Sequence, residues 1–311
     1  MIVVVGPTAA GKSDLAIRLA RRFGAEVVSA DAFQVYRGFD IGTAKVDAEA
    51  AGVAHHCVDV AEPGERFTAG RYARTAAAAI ESIRSRGRRV VVAGGTGFYI
   101  RALIEGLAPL PGSDRRWRRA LRALEERRGL EHLYGMLAEL DPRWAEAVGP
   151  TDPQRIQRGL EVTLRCGEPM SRVLAREERS GPCYEAVWVG LTWPRSMLHE
   201  RIEARVDAML SSGWLGEIES LRAAGVAASA PSMRAIGYRQ LAACLDGELT
   251  LEEAREQIVR VTRRYAKRQL TWFRGQAPVR WFERRAADPA DRQRVDEAVE
   301  AHLGATLSCK C

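Results

Sequence analysis

Two stretches near the amino terminus carry residue types that can do chemistry on a phosphorylated ligand. Residues Gly6–Ser13 match the pattern G-x-x-x-x-G-K-[ST], after an apolar run and before a helical pattern. In such a loop backbone N–H groups converge on phosphate oxygens, Lys12 neutralises charge, and the Ser13 hydroxyl binds a bridging Mg²⁺ ion. The predicted phosphate-binding residues are Gly6, Pro7, Thr8, Ala9, Ala10, Gly11, Lys12 and Ser13. The loop predicts a diphosphate or triphosphate ligand but not the reaction performed on it.

Asp31 is the second candidate, because it directly follows the apolar run Val27–Ala30. In a parallel sheet the carboxyl end of a strand beside the phosphate loop faces the ligand. An apolar run ending in Asp is the usual form of a Mg²⁺-binding Walker B element, so one interpretation makes Asp31 a metal ligand. A second makes it a general base, and a third gives it only a loop-capping role. The local pattern leaves all three open.

Short apolar runs predict the strands that position these residues. Gly, Asp or charged residues bound each run, and helical patterns lie between most of them. The runs are Ile2–Val5, Val27–Ala30, Cys57–Val60, Val90–Ala93 and Val187–Leu191. This order is typical of a parallel sheet flanked by helices. We therefore predict an α/β fold of the P-loop NTPase-like type.

A change of pattern between Ser113 and about residue 182 predicts a mostly helical insertion domain. Strand-like runs vanish there, and arginine-rich helical segments appear that glycine and proline interrupt. The run at Val187 then resumes the sheet. We predict a catalytic core over 1–112 and 185–311, with the insertion over 113–184.

The last third of the chain carries the clearest helix signals and most of the excess positive charge. Thr250-x-x-Glu253 is a capping box, and Gly275 predicts the end of the long helix that follows. Between Arg255 and Arg285 the acidic residues are Glu256 and Glu283. The basic residues of that stretch are Arg255, Arg260, Arg263, Arg264, Lys267, Arg268, Arg274, Arg280, Arg284 and Arg285. The imbalance favours a polyanionic partner, with a solvated helix face as the alternative.

Composition narrows the class of protein. The chain has 311 residues, 46% of them hydrophobic, and a formal charge of +7. The chain has no uncharged apolar stretch of about 18 residues, and its apolar opening Met1–Val5 lacks the basic leader and cleavage site of a secretory signal. We therefore expect a soluble cytoplasmic protein without a membrane partner. The cysteines are scattered, which favours free thiols. Cys309 and Cys311 could in principle hold a metal, although no histidine follows them.

The segment Asp31–Lys45 resembles the tRNA dimethylallyltransferase family, also called the IPP transferase family. Four more family-like blocks follow in order: Gly94–Tyr99, Asp152–Arg158, Arg234–Gln240 and Lys267–Arg274. The resemblance extends over nearly the whole chain. It implies transfer of a dimethylallyl group from dimethylallyl diphosphate to the N6 amine of adenine 37 in a tRNA anticodon loop. A Mg²⁺ cofactor and a monomeric state are implied with it.

Carried over residue by residue, the resemblance implies three catalytic roles. Asp31 would accept a proton from the adenine amine, whose lone pair is delocalised into the purine ring. Thr8 would hydrogen-bond the oxygen that links the prenyl carbon to diphosphate. Arg205 would clamp the diphosphate with its planar guanidinium. From spacing alone, Arg205 would be an ordinary helix-surface charge and Thr8 a loop residue.

The same resemblance implies contacts with the tRNA anticodon stem-loop, whose single-stranded bases are the part of RNA that proteins read. The implied tRNA-binding residues are Asp31, Ala32, Phe33, Gln34, Thr96, Gln154, Arg155, Ile156, Gln157, Arg158, Arg234, Ala235, Ile236, Gly237, Tyr238, Arg239, Lys267, Arg268, Gln269, Leu270, Thr271, Trp272, Phe273 and Arg274. The arginine-rich stretch Asp114–Arg128 would also bind the stem-loop, or else form an arginine-coated helix with Trp117 and Leu121 as core positions.

The sequence shows no Cys/His zinc finger of the kind some eukaryotic relatives append, which favours a bacterial-type enzyme.

Three other functions are compatible with the phosphate loop alone. A small-molecule kinase would hold ATP there, use Asp31 to activate a hydroxyl and need no RNA. A prenyltransferase acting on free AMP would share the chemistry but need neither the insertion nor the basic helix. A non-catalytic RNA-binding protein would leave Thr8, Lys12, Ser13 and Asp31 without a role.

Overall fold

The computed structural model describes residues 1–108, 110–177, 184–276 and 278–308. The chain divides into two compact units, Met1–Ile104 with Tyr184–Cys311, and Glu105–Cys183. The predicted insertion, 113–184, therefore begins later in the chain than the second unit. Cys309 and Cys311, considered above as metal ligands, lie outside the described residues.

Within the described chain six parallel strands form one sheet in the order β3-β2-β4-β1-β5-β6. The strands are β1 (Ile2–Val5), β2 (Ala25–Ser29), β3 (His55–His56), β4 (Arg89–Ala93), β5 (Val187–Thr192) and β6 (Arg280–Glu283). Every residue of β1, β2 and β5 is buried, as expected of parallel strands covered on both faces. The predicted fold class is confirmed.

Two strands differ from the prediction. The predicted strand Cys57–Val60 is wrong, because pairing occurs at His55–His56 and the φ angles of Cys57 and Asp59 are 61° and 54°. Left-handed residues cannot continue an extended strand. The edge strand β6 was not predicted, since its sequence RWFE has no apolar run and buries only Phe282.

Helices connect the strands of the first unit and make up the regular structure of the second. In chain order they are α1 (Lys12–Phe23), α2 (Ala48–Ala51), α3 (Ala69–Ser85), α4 (Gly97–Ile104), α5 (Arg115–Arg128), α6 (Leu130–Leu140), α7 (Pro142–Val148), α8 (Pro153–Cys166), α9 (Met170–Glu177), α10 (Arg195–Ser211), α11 (Trp214–Ala223), α12 (Tyr238–Leu245), α13 (Leu251–Gln276) and α14 (Pro289–Ser308). The predicted capping box of α13 is present, since the Glu253 carboxylate accepts from the Thr250 N–H at 2.8 Å and Thr250 Oγ1 accepts from the Glu253 N–H at 3.2 Å. The helix runs through Gly275, so that glycine does not end it.

Alternating side chains of the strands build the core of the first unit on both faces of the sheet. Val4 packs with Leu15 of α1 on one face, together with residues of α10 and α14. Its neighbour Val3 packs on the other face with Ile80 of α3 and Ile100 of α4. Because all six strands are parallel, their carboxyl ends lie at one edge of the sheet, where the connecting loops meet.

The helical unit has a core of its own. Leu121 of α5 is buried there with residues of α6 and α8, whereas Trp117 is 36% exposed, so only Leu121 is a core position. Glu161 of α8 is 1% exposed and lies 3.0 Å from Arg158, 3.5 Å from Arg165 and 3.6 Å from Arg118. No helix in the described ranges has the length and apolarity to span a membrane.

Candidate active site

The phosphate loop is a tight turn between β1 and α1. Gly6 has a φ of 145°, and a Cβ there would lie 2.2 Å from the Leu191 carbonyl oxygen of β5, so only glycine fits. Gly11, with a φ of 90°, is the N-cap of α1 and provides no side-chain bond to the first helical N–H groups. The helix N-terminus is thereby left open to an anion.

A cavity of about 380 Å³ opens beside this loop, at the carboxyl ends of β1, β2 and β4. Thr8, Lys12, Ser13, Asp31 and Arg205 all line it. Three separate parts of the sequence, the phosphate loop, the segment after β2 and helix α10, therefore meet in one place. The structure brings together every residue that the sequence assigned to catalysis or to metal binding.

Lys12 enters the cavity without a carboxylate partner. Its Nζ donates to the Pro7 carbonyl oxygen at 2.8 Å, and within the described ranges it makes no salt bridge. Burial and the charge of Arg205 lower the pKa of Lys12 to about 7, against the opposing effect of Asp31. An anion bound in the cavity would restore the charged form of Lys12 and would be stabilised by it.

Arg205 is a second cation of this kind. Burial lowers the pKa of its guanidinium, with Asp31 and Asp14 acting against the shift. It has no hydrogen bond or salt bridge to another described residue. A half-buried guanidinium without a counter-charge favours binding of an external anion, since partial removal of an unpaired charge from water is costly.

Asp31 is held by its own turn. Its Oδ1 accepts from the Phe33 N–H at 2.9 Å and from the Gln34 N–H at 3.3 Å, which is the loop-capping contact considered above. Its Oδ2 accepts from no described residue. The carboxylate is thus fixed in orientation by one oxygen, while the other is free to accept a proton or to bind a cation.

The loop after β4 packs closely against the Asp31 turn. A Cβ on Gly94 would lie 2.2 Å from the Ala30 carbonyl oxygen, and the Thr96 N–H donates to that oxygen at 3.1 Å. The Thr96 hydroxyl accepts from the Ala32 N–H at 3.0 Å. Thr96 therefore lies next to Asp31, as the implied contact with the target base requires.

Gln34 lines the cavity, but its amide is already in use. It accepts from the Ser29 hydroxyl at 2.8 Å and donates to the carbonyl oxygens of Thr43 and Ala44 at 3.1 and 3.2 Å. The side chain that the sequence assigned to tRNA binding thus fixes the loop that forms one wall of the cavity.

The other implied tRNA-binding residues divide into buried and accessible ones. The buried ones are Ile156, Ala235, Gly237, Tyr238, Gln269 and Phe273. Ile156, Ala235, Tyr238 and Phe273 pack in hydrophobic cores, whereas Gln269 lines the cavity. The accessible ones with polar side chains are Gln154, Arg155, Arg234, Arg239, Lys267, Arg268, Thr271 and Arg274. Half-buried members of the same blocks are Ala32, Phe33, Gln157, Arg158, Ile236, Leu270 and Trp272.

Some residues of the cavity were missed by the sequence reasoning. Arg201 of α10 lines it, donates from Nε to the Ala9 carbonyl oxygen at 2.9 Å, and stacks 4.3 Å from the Trp193 ring. Tyr265 of α13 lines it as well, beside Gln269, which the sequence had assigned to tRNA binding. Residues 265 and 269 are one helical turn apart on the buried side of α13, a spacing that could have indicated a shared inward position.

Together these features define an α/β fold in which a phosphate loop and a carboxylate line one cavity. A model of the IPP transferase family matches residues 34–276. The chain belongs to this family, and it is a transferase. The family inferred from the sequence motifs is therefore confirmed.

Similar proteins cover almost the entire chain. It is 46% identical over 284 residues to "tRNA dimethylallyltransferase 2" of Geotalea uraniireducens, covering 91% of this chain and 92% of that one. It is 44% identical to "tRNA dimethylallyltransferase" of Geobacter sulfurreducens, covering 91% of each.

Solved structures give the same result for the fold. A full-length tRNA isopentenylpyrophosphate transferase from Bacillus halodurans matches with a TM-score of 0.71 at 37% identity, covering 99% of this chain and 98% of the other. A eukaryotic dimethylallyltransferase acting on tRNA matches with a TM-score of 0.81 at 27% identity, covering 97% and 77%.

Proposed function

We propose that this enzyme transfers a dimethylallyl group from dimethylallyl diphosphate to the N6 amine of adenine 37 in a tRNA anticodon loop. The products are N6-isopentenyladenosine and diphosphate. One observation carries the proposal: two half-buried cations without carboxylate partners, Lys12 and Arg205, line the same cavity as Asp31, whose second carboxylate oxygen is free. The names of the relatives, tRNA dimethylallyltransferase, support the choice of substrates.

The leaving group accounts for the phosphate loop. As the bond between the prenyl carbon and the bridging oxygen breaks, negative charge grows on the diphosphate. Lys12, Arg205 and the N–H groups at the start of α1 are positioned to offset that charge before the reaction begins, which is the main source of catalysis in such sites. The Thr8 hydroxyl would donate a hydrogen bond to the bridging oxygen.

The donor set of the cavity fits a Mg²⁺ ion bound mainly through the diphosphate. Ser13 would supply a hard oxygen ligand. Among the described residues no cluster of three His, Cys, Asp or Glu side chains could hold a metal by itself. Mg²⁺ commonly uses one or two protein oxygens together with phosphate oxygens and water, and would supply further charge neutralisation.

Asp31 would act on the acceptor. The adenine amine forms a bond to the prenyl carbon while the carbon–oxygen bond breaks, and the amine proton passes to the free oxygen of Asp31. Because the amine lone pair is delocalised into the purine ring, removal of the proton makes attack easier. Such assistance is worth roughly a hundred- to ten-thousand-fold in rate.

The accessible basic residues of the family blocks would bind the tRNA. Arg234, Arg239, Lys267, Arg268 and Arg274 are exposed in the α/β unit. Guanidinium and ammonium groups of this kind bind phosphates, and an extruded base could then enter the cavity. The arginine-rich helix α5 would add contacts from the helical unit. We further propose that the enzyme acts as a monomer in the cytoplasm.

Two rival activities are separated by the acceptor they need. A kinase would turn over ATP in the same cavity, and a free-nucleotide prenyltransferase would modify AMP. The protein is incubated with dimethylallyl diphosphate and Mg²⁺ and is offered unmodified tRNA, AMP or ATP separately, and each product is identified by mass. We expect a prenylated adenine in tRNA alone. Modification of AMP, or ATP hydrolysis without prenyl transfer, would contradict the proposal.

A further inference from the structure

Gln269 of α13 uses both ends of its amide to join two loops of the cavity. Its side chain is buried, with a residue exposure of 5%. Oε1 accepts from the Thr8 N–H of the phosphate loop at 2.8 Å, and Nε2 donates to the Gly95 carbonyl oxygen after β4 at 3.0 Å. These two bonds connect backbone positions far apart in the sequence. A residue with both ends occupied in this way has little to offer a tRNA.

The fit around this amide is tight. A Cβ on Gly95 would lie 2.1 Å from Gln269 Nε2 and 3.8 Å from Lys12 Nζ. A Cβ on Gly94 would meet the Ala30 carbonyl oxygen at 2.2 Å. The loop after β4 therefore packs closely against α13 on one side and against the end of β2 on the other. Glycine at both positions permits this approach.

Tyr265 extends the connection toward the carboxylate. It lies one helical turn before Gln269 and lines the cavity, and its side chain adjoins those of Thr96 and Gln269. The Thr96 hydroxyl in turn accepts from the Ala32 N–H at 3.0 Å, next to Asp31. Burial, followed by the charge of Asp31, raises the pKa of Tyr265, so its hydroxyl stays protonated near neutral pH. Since Gly95 and Thr96 are adjacent in the chain, Gln269 connects the Thr8 amide to the turn that holds Asp31.

We propose that Gln269, supported by Tyr265, is a positioning residue that fixes the distance between Thr8 and Asp31. The inference rests on the proposed function, in which Thr8 acts on the leaving oxygen and Asp31 on the attacking amine. Both groups must be aligned with the same breaking and forming bonds. A misplacement of about 1 Å in such a site can cost about a hundred-fold in rate. Gln269 would then affect the chemical step and not the affinity for tRNA.

The test compares Gln269→Met with Gln257→Met on the same helix. Methionine has a similar length but cannot make either hydrogen bond, and Gln257 lies outside the cavity. For Gln269→Met we expect kcat to fall by about ten- to a hundred-fold, with the KM values for dimethylallyl diphosphate and tRNA and the tRNA Kd changed by less than about three-fold. For Gln257→Met we expect all values to stay near those of the wild type.

Three results would overturn the inference. A weakened tRNA Kd with unchanged kcat in Gln269→Met would make Gln269 a direct tRNA contact. Equal kinetics for the two methionine variants would remove any special role. If Gln269→Met fails to fold, Tyr265→Phe, which removes only the hydroxyl, must still lower kcat at unchanged tRNA Kd, and an unchanged kcat there would also reject the network. Absence of prenyl transfer by the wild-type enzyme would instead reject the proposed function.

Discussion

Two groups of cations in the α/β unit differ in how they are neutralised. At the amino end of β2, Glu26 accepts from Arg86 and from His56, each at 2.7 Å, and is 6% exposed. At the carboxyl ends of the strands, Lys12 and Arg205 have no carboxylate at salt-bridge distance in the part of the chain described. The number of basic residues therefore does not locate a binding site. What distinguishes Lys12 and Arg205 from the other basic residues without a carboxylate partner is that both line the cavity.

In the helical unit a buried carboxylate is again surrounded by several cations. Glu161 holds Arg118, Arg158 and Arg165 at 3.6, 3.0 and 3.5 Å. Arg158 also donates to the Pro111 carbonyl oxygen at 2.6 Å. An arginine with these partners stabilises its own unit, so its presence in a family block does not by itself identify a contact with tRNA.

The largest expected effect follows from substitution of Asp31, whose carboxylate lines the same cavity as Lys12 and Arg205. Asp31→Asn keeps an oxygen for the turn that binds the Phe33 and Gln34 N–H groups but cannot accept the amine proton. We expect kcat to fall by roughly a hundred- to ten-thousand-fold, with binding of tRNA and dimethylallyl diphosphate nearly unchanged. Single-turnover kinetics with filter binding measure both. Glu62→Gln, at an exposed carboxylate, serves as the control. Undiminished turnover would remove Asp31 from the role of base.

The next effect concerns Glu161 and the three arginines around it in the helical unit. Glu161→Gln leaves three arginines without their shared counter-charge in a site where Glu161 is 1% exposed. The arginines left behind are only partly buried, so the cost should lie below the roughly 3–5 kcal/mol of a fully buried pair broken from one side. We expect hydrogen exchange across Pro153–Cys166 to accelerate accordingly, as measured by mass spectrometry. Glu168→Gln, whose partner Arg176 is at the surface, should change exchange little. Matching effects of the two variants would remove the distinction between buried and surface pairs.

A smaller effect tests the unpaired cations directly. Arg205→Gln removes a guanidinium that has no internal partner, so dimethylallyl diphosphate should bind about ten- to a hundred-fold more weakly, as expected when one charge-assisted hydrogen bond is removed. Arg222→Gln is the matched control, because Arg222 is paired with Asp246 at 2.8 and 2.9 Å on the surface. Calorimetric titration compares the two. If both variants bind the diphosphate like the wild type, pairing state does not predict anion binding.

The smallest effect tests whether the exposed basic residues Lys267 and Arg268 bind tRNA. Lys267→Gln with Arg268→Gln should weaken tRNA binding and reduce the slope of log K against log salt by about 0.7 to 0.9 for each tRNA phosphate that the variant no longer neutralises. Binding of dimethylallyl diphosphate should not change, since both side chains are exposed and neither lines the cavity. Salt titrations of tRNA affinity measure the slope. A proportional loss of affinity for both ligands would contradict this separation of the two sites.

Local signals in the sequence were sufficient for the phosphate loop and for the capped helix α13. The loop requires glycines at fixed spacing, and the Thr250 and Glu253 box depends on residues within one helical turn. Asp31 was found for a similar reason, since a strand and the residue that ends it are adjacent in the chain. The family resemblance of the segment Arg201–Arg205 supplied Arg205, which spacing alone did not distinguish from a surface charge.

The predictions that failed or remained incomplete depend on distant partners. Cys57–Val60 reads as an apolar run, but left-handed φ angles at Cys57 and Asp59 end the pairing at His56. β6 is recognisable only from its neighbour β5. The burial of Gln269 depends on Thr8 and Gly95, which lie far away in the sequence. No local pattern encodes such contacts.

The most direct measurement is a crystal structure of the protein with Mg²⁺ and an unreactive thio-analogue of dimethylallyl diphosphate. We predict the diphosphate in the loop Gly6–Ser13, in contact with Lys12 and Arg205, with its first prenyl carbon roughly 6 Å from the free Asp31 oxygen, which leaves space for an amine between them. An analogue bound away from this loop, or with that carbon turned from Asp31, would contradict the account.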